Sequence, residues 1–265
     1  MSWIEAALLA LIQGLTEFLP VSSQAHLALY SLFTGGLYQG LDFDIILHAG
    51  SLVAVVFYFR RELFGMACDW FGAVAGGEKT RDSRLAWWII IGTIPAGVLG
   101  LLFKDLAEGA FRSPAIMAGA LIFFGLLLGW ADWARRGERD EYSLTLKDVL
   151  VIGFAQAMAL IPGTSRSGIT MTAALFLGMS REAAARFSFL LSVPIIAAAG
   201  LLGSRDLLEN GIEADWSVLL IGFVVAALST YACIHYFLAF IRRIGMQPFV
   251  AYRIILGLVI LGFWI

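Results

Sequence analysis

A bilayer core about 30 Å thick is crossed by a helix of about 20 apolar residues, and this chain offers such stretches repeatedly. Four or five runs qualify, roughly 44 to 59, 85 to 103, 115 to 133, 216 to 240 and 249 to 265. Of the 265 residues 60% are hydrophobic and 14% charged, against roughly 25% charged in an average soluble domain. The chain therefore reads as an all-α integral membrane protein, a polytopic helical bundle. Its formal charge of -2 gives no general attraction for nucleic acid, and its basic residues stand in short clusters beside apolar runs, so nucleic acid is excluded as a partner. Cys68 and Cys233 lie in separate apolar segments without a CxxC or Cys/His grouping, which suggests neither a disulfide framework nor a zinc site. The N-terminal stretch lacks a basic leader and carries Glu5 within its apolar part, so it is expected to belong to the mature protein.

Other apolar runs are too short or interrupted: 3 to 19 before Pro20, 21 to 38, 63 to 75, 149 to 161 before Pro162, 168 to 178, and 187 to 202 with Pro194 inside. Such segments are tolerated in a membrane only where they line a cavity within the protein, as re-entrant hairpins or broken helices. Two of them resemble each other. "LIQGLTEFLPVSSQ" from Leu11 and "GFAQAMALIPGTSRSG" from Gly153 each carry a glutamine, a proline six or seven residues later, and serines opening the next helix. "LHAGSLVAVV" against "LLSVPIIAAA", and "PAIMAGALIFFGLLLGW" against "PFVAYRIILGLVILGFW", are thin matches singly but fall in the same order, as a repeated unit requires.

The chain is read as one membrane domain, 1 to 265, made of two halves at about 1 to 135 and 145 to 265. Arg60, Arg61, Lys79, Arg81 and Arg84, then Arg135, Arg136, Arg139 and Lys147, then Arg242 and Arg243 mark cytoplasmic loops by the positive-inside rule. The acidic segment 203 to 215 is then outside. On this reading the span 85 to 103 runs outward and its counterpart 216 to 240 inward. The repeat is expected to be inverted, with both termini outside the cytoplasm.

The polar residues cluster at the two breaks. Gln13 and Glu17 are four apart, so a helix ending at Pro20 sets both on one face. A carboxylate and an amide oxygen are hard ligands suited to a divalent cation, Mg²⁺ or Ca²⁺. After the proline, Ser22 or Ser23 can cap the next helix, and His26 shares a face with them. A hydroxyl near an imidazole is also the nucleophile and base pairing of covalent catalysis. Serines after a proline are commonly no more than caps, but Glu17 and His26 together are intramembrane ionisable groups, which default to function. At the second break Pro162 to Gly168 supply Gly163 for close backbone approach, the hydroxyls of Thr164, Ser165 and Ser167, and Arg166 in the first turn of a helix. A helix N-terminus offers unpaired N–H groups and positive potential, and an arginine fork matches phosphate oxygens. His48 could face the same cavity but is expected to be a packed core histidine, and His235 a structural or interfacial one.

At these residues the chain resembles the undecaprenyl-diphosphatase family, also called bacitracin-resistance proteins. An (E/Q)xxxE element running into PxSSxxH is matched by Gln13, Glu17, Pro20, Ser22, Ser23 and His26, and PGxSRSG by Pro162 to Gly168. "SREAAARFSFLLSVP" is also similar, and the resemblance covers essentially the whole chain. Gln13 stands where a first glutamate is commonest, and Gln24-Ala25 where Thr-Gly is usual. The resemblance implies two inverted repeats whose re-entrant helices meet at the active site. It also implies hydrolysis of undecaprenyl diphosphate, a polyprenyl diphosphate lipid, in the bacterial inner membrane, recycling the carrier for cell-wall glycans. The roles expected with it are catalysis by Glu17, Ser23, His26 and Arg166, with Ser23 activated by His26. Substrate is expected at Ser22, Gly163, Thr164, Ser165 and Ser167, and a divalent cation at Gln13 and Glu17. His26 as nucleophile and direct attack by water stay open at this level, as does a homodimer. The alternative is a transporter of a lipid anion, which would need the same anion site but no general base.

Overall fold

The computed structural model describes residues 1–34, 41–103, 113–134, 137–210 and 215–264. Along the described chain the helices are α1 (Trp3–Thr16), α2 (Ser23–Thr34), α3 (Leu41–Tyr58), α4 (Arg60–Val74), α5 (Arg81–Leu102) and α6 (Pro114–Ala134). They continue as α7 (Leu146–Ala157), α8 (Arg166–Phe176), α9 (Arg181–Asn210), α10 (Trp216–Ile244) and α11 (Gln247–Trp264). Extended pairing among the described residues is confined to one isolated bridge, Arg139 with Met179. Helix starts follow the local chemistry: Ser2 with Glu5, and Thr145 with Asp148, form capping boxes on α1 and α7, each satisfying backbone N–H groups that the first turn leaves open.

Four described helices are long and apolar enough to cross a membrane: Arg81–Leu102, Pro114–Ala134, Arg181–Ser204 and Trp216–Ile244. The pair Phe43–Tyr58 and Arg60–Val74, bent by 77°, could make a fifth span. The protein is a multi-pass membrane protein. One expectation is corrected here. The run 187 to 202 does not break at Pro194 but lies inside the continuous helix α9. A proline removes a single N–H bond to the preceding turn, and a helix held by its neighbours absorbs that loss; α5 carries Pro95 in the same way. By contrast the runs on either side of Pro20 and Pro162 do form separate short helices, α1 with α2 and α7 with α8. Of the residues used above for orientation, Arg135, Arg136 and positions 211 to 214 of the acidic segment lie outside those described.

The packing crosses between the halves. Helix α1 lies along α10 and α7 along α5, while α3 packs on α9 and α10, and α6 on α11. Helices α1 and α7 approach their neighbours closely: a Cβ on Gly14 would run into Ser229 and Ala226, and one on Gly153 into the backbone of Gly92. Small residues allow such contacts where lipid supplies no hydrophobic drive. Helix α8 is wedged among α6, α7 and α9, and its Met171 is fully buried in one cluster with Phe18, Phe187 and Phe189. Ion pairs tie the helix ends together. Arg186 donates to Glu62 and Glu141, both at 2.7 Å, and Arg181 to Asp132. Beside them burial, with the Asp82 carboxylate next in effect, pushes the Tyr142 phenol up to about 12.

Candidate active site

The first break is built by ordinary helix termination. Glu17 caps α1 in helical geometry with its N–H on the Gln13 carbonyl, and Pro20, with φ fixed by its ring, turns the chain away. Helix α2 restarts at Ser23, one residue after Ser22, whose φ is +73°. In the second break α7 tightens into one 3₁₀ turn, Met158–Leu160, before Pro162. Gly163 has φ +91°, and a Cβ there would meet the Met117 carbonyl. Ser165, at φ +67°, caps α8 by accepting the Gly168 N–H at 3.2 Å. Among the described residues Ser22 and Ser165 are the non-glycine residues at positive φ. Each stands immediately before the helix that leaves its break. Such conformations cost of order 1–3 kcal/mol and persist where the surroundings over-determine them, often at functional sites.

The Glu17 carboxylate is the hub where the breaks meet. Its Oε1 accepts from Arg166 Nη2 at 3.0 Å, across 149 residues of sequence, and its Oε2 accepts from Ser23 Oγ at 2.8 Å and Gln13 Nε2 at 3.0 Å. The two ionised side chains are 8% and 13% exposed, so the pair is largely desolvated and stronger than a surface pair. Arg166 also donates to the Ser188 carbonyl at 3.3 Å and lies 5.4 Å from the Phe18 ring centre. Ser167 Oγ ties the second break to the first by donating to the Leu19 carbonyl at 2.9 Å, and lies 3.2 Å from Ser165 Oγ. The Thr164 hydroxyl is buried with no hydrogen-bond partner among the described residues.

Ser23 and His26 share a helix, but their polar atoms turn to different partners. The serine hydroxyl goes to Glu17, whereas His26 Nδ1 lies 2.7 Å from the Ser22 carbonyl and Nε2 lies 2.6 Å from the Tyr252 hydroxyl. His48 is a correction to the sequence reading. It is half-buried rather than packed in a core, with Nε2 3.7 Å from Glu17 Oε2; helical spacing on α3 could not show that α3 turns this face to α1. His235 sits in ring contact with Tyr58 and Tyr236.

Two residues of the site escaped sequence reasoning, Tyr252 and Arg253, both on α11. Arg253 is fully buried and spends its guanidinium on carbonyls: Pro20 in the first break, Gly163 and Thr164 in the second, and Ala120 and Leu121 of α6. It staples the two breaks to one helix. A charge in the middle of an apolar run was the signal, hidden because the run 249 to 265 was long enough to pass as an ordinary span.

A divalent cation can be tested against the donors present. Among the described residues no group of three or more His, Cys, Asp or Glu forms a metal site. The Gln13 Oε1, however, is buried without a hydrogen-bond partner beside the Glu17 carboxylate, and a buried acceptor left open is costly. One carboxylate and one orphaned amide oxygen are the hard donors that Mg²⁺ or Ca²⁺ takes, so the residues fit such an ion.

Comparison with known proteins points one way. A family model described as bacitracin resistance protein BacA matches residues 6–259. The chain is 57% identical over 264 residues to undecaprenyl-diphosphatase 2 of Stutzerimonas stutzeri (strain A1501), covering 98% of each chain. It is 52% identical over 257 residues to an undecaprenyl-diphosphatase of Nitrosococcus oceani, covering 97% of each. A Hahella chejuensis protein of the same name is 54% identical over 257 residues, with 97% of this chain and 96% of that one covered.

Proposed function

The chain belongs to the bacitracin resistance protein BacA family, and on that premise we propose that it hydrolyses undecaprenyl diphosphate to undecaprenyl phosphate and inorganic phosphate. The reaction recycles the lipid carrier for cell-wall glycans in the bacterial inner membrane and fits the resistance for which the family is described. The observation that carries the reading is the Glu17 carboxylate, bonded at once to a serine hydroxyl of its own break and a guanidinium of the other. A nucleophile, an acceptor for its proton and a phosphate-binding fork thus stand within hydrogen-bond reach of one point. The test is release of inorganic phosphate from a prenyl diphosphate by purified protein in detergent. A lipid-anion transporter would bind the same substrate and release none.

In this mechanism Arg166, the first N–H groups of α8 and the polar groups of Ser22, Gly163, Thr164, Ser165 and Ser167 hold the diphosphate and offset charge building on the phosphoryl oxygens. Ser23 Oγ attacks the terminal phosphorus as its proton passes to Glu17 Oε2, which already accepts it. The bond from phosphorus to the bridging oxygen breaks, and undecaprenyl phosphate leaves. Water, deprotonated with the help of His26, then cleaves the phosphoserine. The sequence alone suggested His26 as base for Ser23; the bond that Ser23 makes favours Glu17 for that step and leaves His26 for the water. Gln13 and Glu17 would hold a divalent cation, with His48 beside them, and its charge would help neutralise the diphosphate. Gln13→Glu is expected to lower the Mg²⁺ concentration for half-maximal activity several-fold and to tighten Mg²⁺ binding seen by calorimetry. Unchanged values for both would remove Gln13 from the ion's shell.

Two inverted repeats account for the cross-packing: the first helix of each hairpin lies along a long span of the other half, α1 on α10 and α7 on α5. The matching positive φ angles at Ser22 and Ser165 support the same reading. With basic residues inside, both termini lie outside. In a variant lacking Cys68 and Cys233, an impermeant thiol reagent on intact cells is expected to label Ser204→Cys and spare Ser143→Cys. The reverse pattern would overturn the orientation.

A further inference from the structure

His26 is held at both nitrogens. Its Nδ1 lies 2.7 Å from the Ser22 carbonyl, and a carbonyl can only accept, so Nδ1 carries the ring proton in the neutral side chain. That leaves one lone pair, on Nε2, and the Tyr252 hydroxyl at 2.6 Å donates to it. The two rings are parallel within 2°, their centres 5.5 Å apart. Tyr252 has little freedom to be elsewhere, because the next residue, Arg253, is bonded to carbonyls of both breaks. Yet Tyr252 is 44% exposed while His26 is half-buried. The Nε2 lone pair is thus covered by the phenol, which is the more accessible of the two groups.

We propose that Tyr252 is a catalytic residue for the hydrolytic half of the reaction, donating to Nε2 of the Nδ1–H tautomer of His26 and relaying to that nitrogen the proton taken from the attacking water. This rests on the reading of His26 as the base for that water. As the water oxygen bonds to phosphorus, its proton passes to the phenol oxygen while the phenol proton passes to Nε2. The phosphorus–serine bond breaks, and the serine oxygen takes back the proton held on Glu17. Inorganic phosphate leaves, and the imidazolium returns its proton to solvent through the phenol. The phenol is unchanged overall.

Tyr252→Phe keeps the stacked ring and deletes the hydroxyl alone. It is expected to lower kcat by about 100-fold, the lower end of a general-base contribution, with the melting temperature unchanged. Because the second half is slowed, undecaprenyl phosphate should appear in a burst equal to the enzyme concentration, ahead of inorganic phosphate. The double variant His26→Ala/Tyr252→Phe should be no slower than His26→Ala, whereas the losses in Tyr252→Phe/Arg166→Lys should multiply. If His26→Ala collapses turnover but Tyr252→Phe works at the wild-type rate, shows no burst, or multiplies with His26→Ala, the relay is overturned and the role of His26 stands. If His26→Ala itself turns over like wild type, that role fails and the relay with it. A ¹⁵N imidazole spectrum gives a check independent of rate: His26 should be the Nδ1–H tautomer, and an Nε2–H tautomer would refute the arrangement.

Discussion

Replacing Arg166 with lysine is expected to cut kcat/KM for a prenyl diphosphate by about 10²- to 10³-fold, the loss typical when one preorganised donor to a transition-state oxyanion is removed. The guanidinium has one arm on Glu17 and the other on the Ser188 carbonyl, so its plane is set before substrate arrives. An ammonium keeps the charge but is a point, and it cannot present two parallel donors to phosphate oxygens. Retained charge still offsets the buried Glu17 carboxylate, so the melting temperature should move little, separating lost chemistry from lost fold. Phosphate release within a few-fold of wild type would rule out Arg166 as the diphosphate fork.

Ser23→Ala and Glu17→Gln are each expected to lower turnover on the order of 10³-fold or more, and the double variant to be scarcely worse than either, because residues acting as a unit are grossly non-additive. A hydroxyl is a poor nucleophile at neutral pH unless a base takes its proton, and Ser23 Oγ lies 2.8 Å from the one carboxylate in its break. Glutamine at 17 keeps the shape and an oxygen for Arg166 but cannot accept the proton. Binding of the lipid diphosphate, measured by its quenching of intrinsic fluorescence, should survive Ser23→Ala because it rests on Arg166 and the start of α8. Losses that multiply would mean that Glu17 acts apart from Ser23. Wild-type turnover by Ser23→Ala would reduce the serine to a helix start and make His26 or water the attacking group.

The sequence by itself determined that the chain crosses a membrane as helices and that two of its apolar runs break at Pro20 and Pro162. It also singled out the polar residues of those breaks. These are near-neighbour effects: apolar run length, a missing N–H, a cap, and the four-residue spacing of Gln13 and Glu17. Arg253 belongs to the same class and was open to sequence reasoning, since a lone charge within an apolar run is costly enough to need a reason. What only the tertiary structure decided is which polar atoms meet. Ser23 turns to Glu17 and His26 to Tyr252, 226 residues away; His48 reaches Glu17; and α9 passes straight through Pro194. Helical periodicity tells which residues share a face, but not the rotation of one helix against another. That rotation is set by close packing at contacts such as Gly14 on α10 and Gly153 on α5, between segments far apart in the chain.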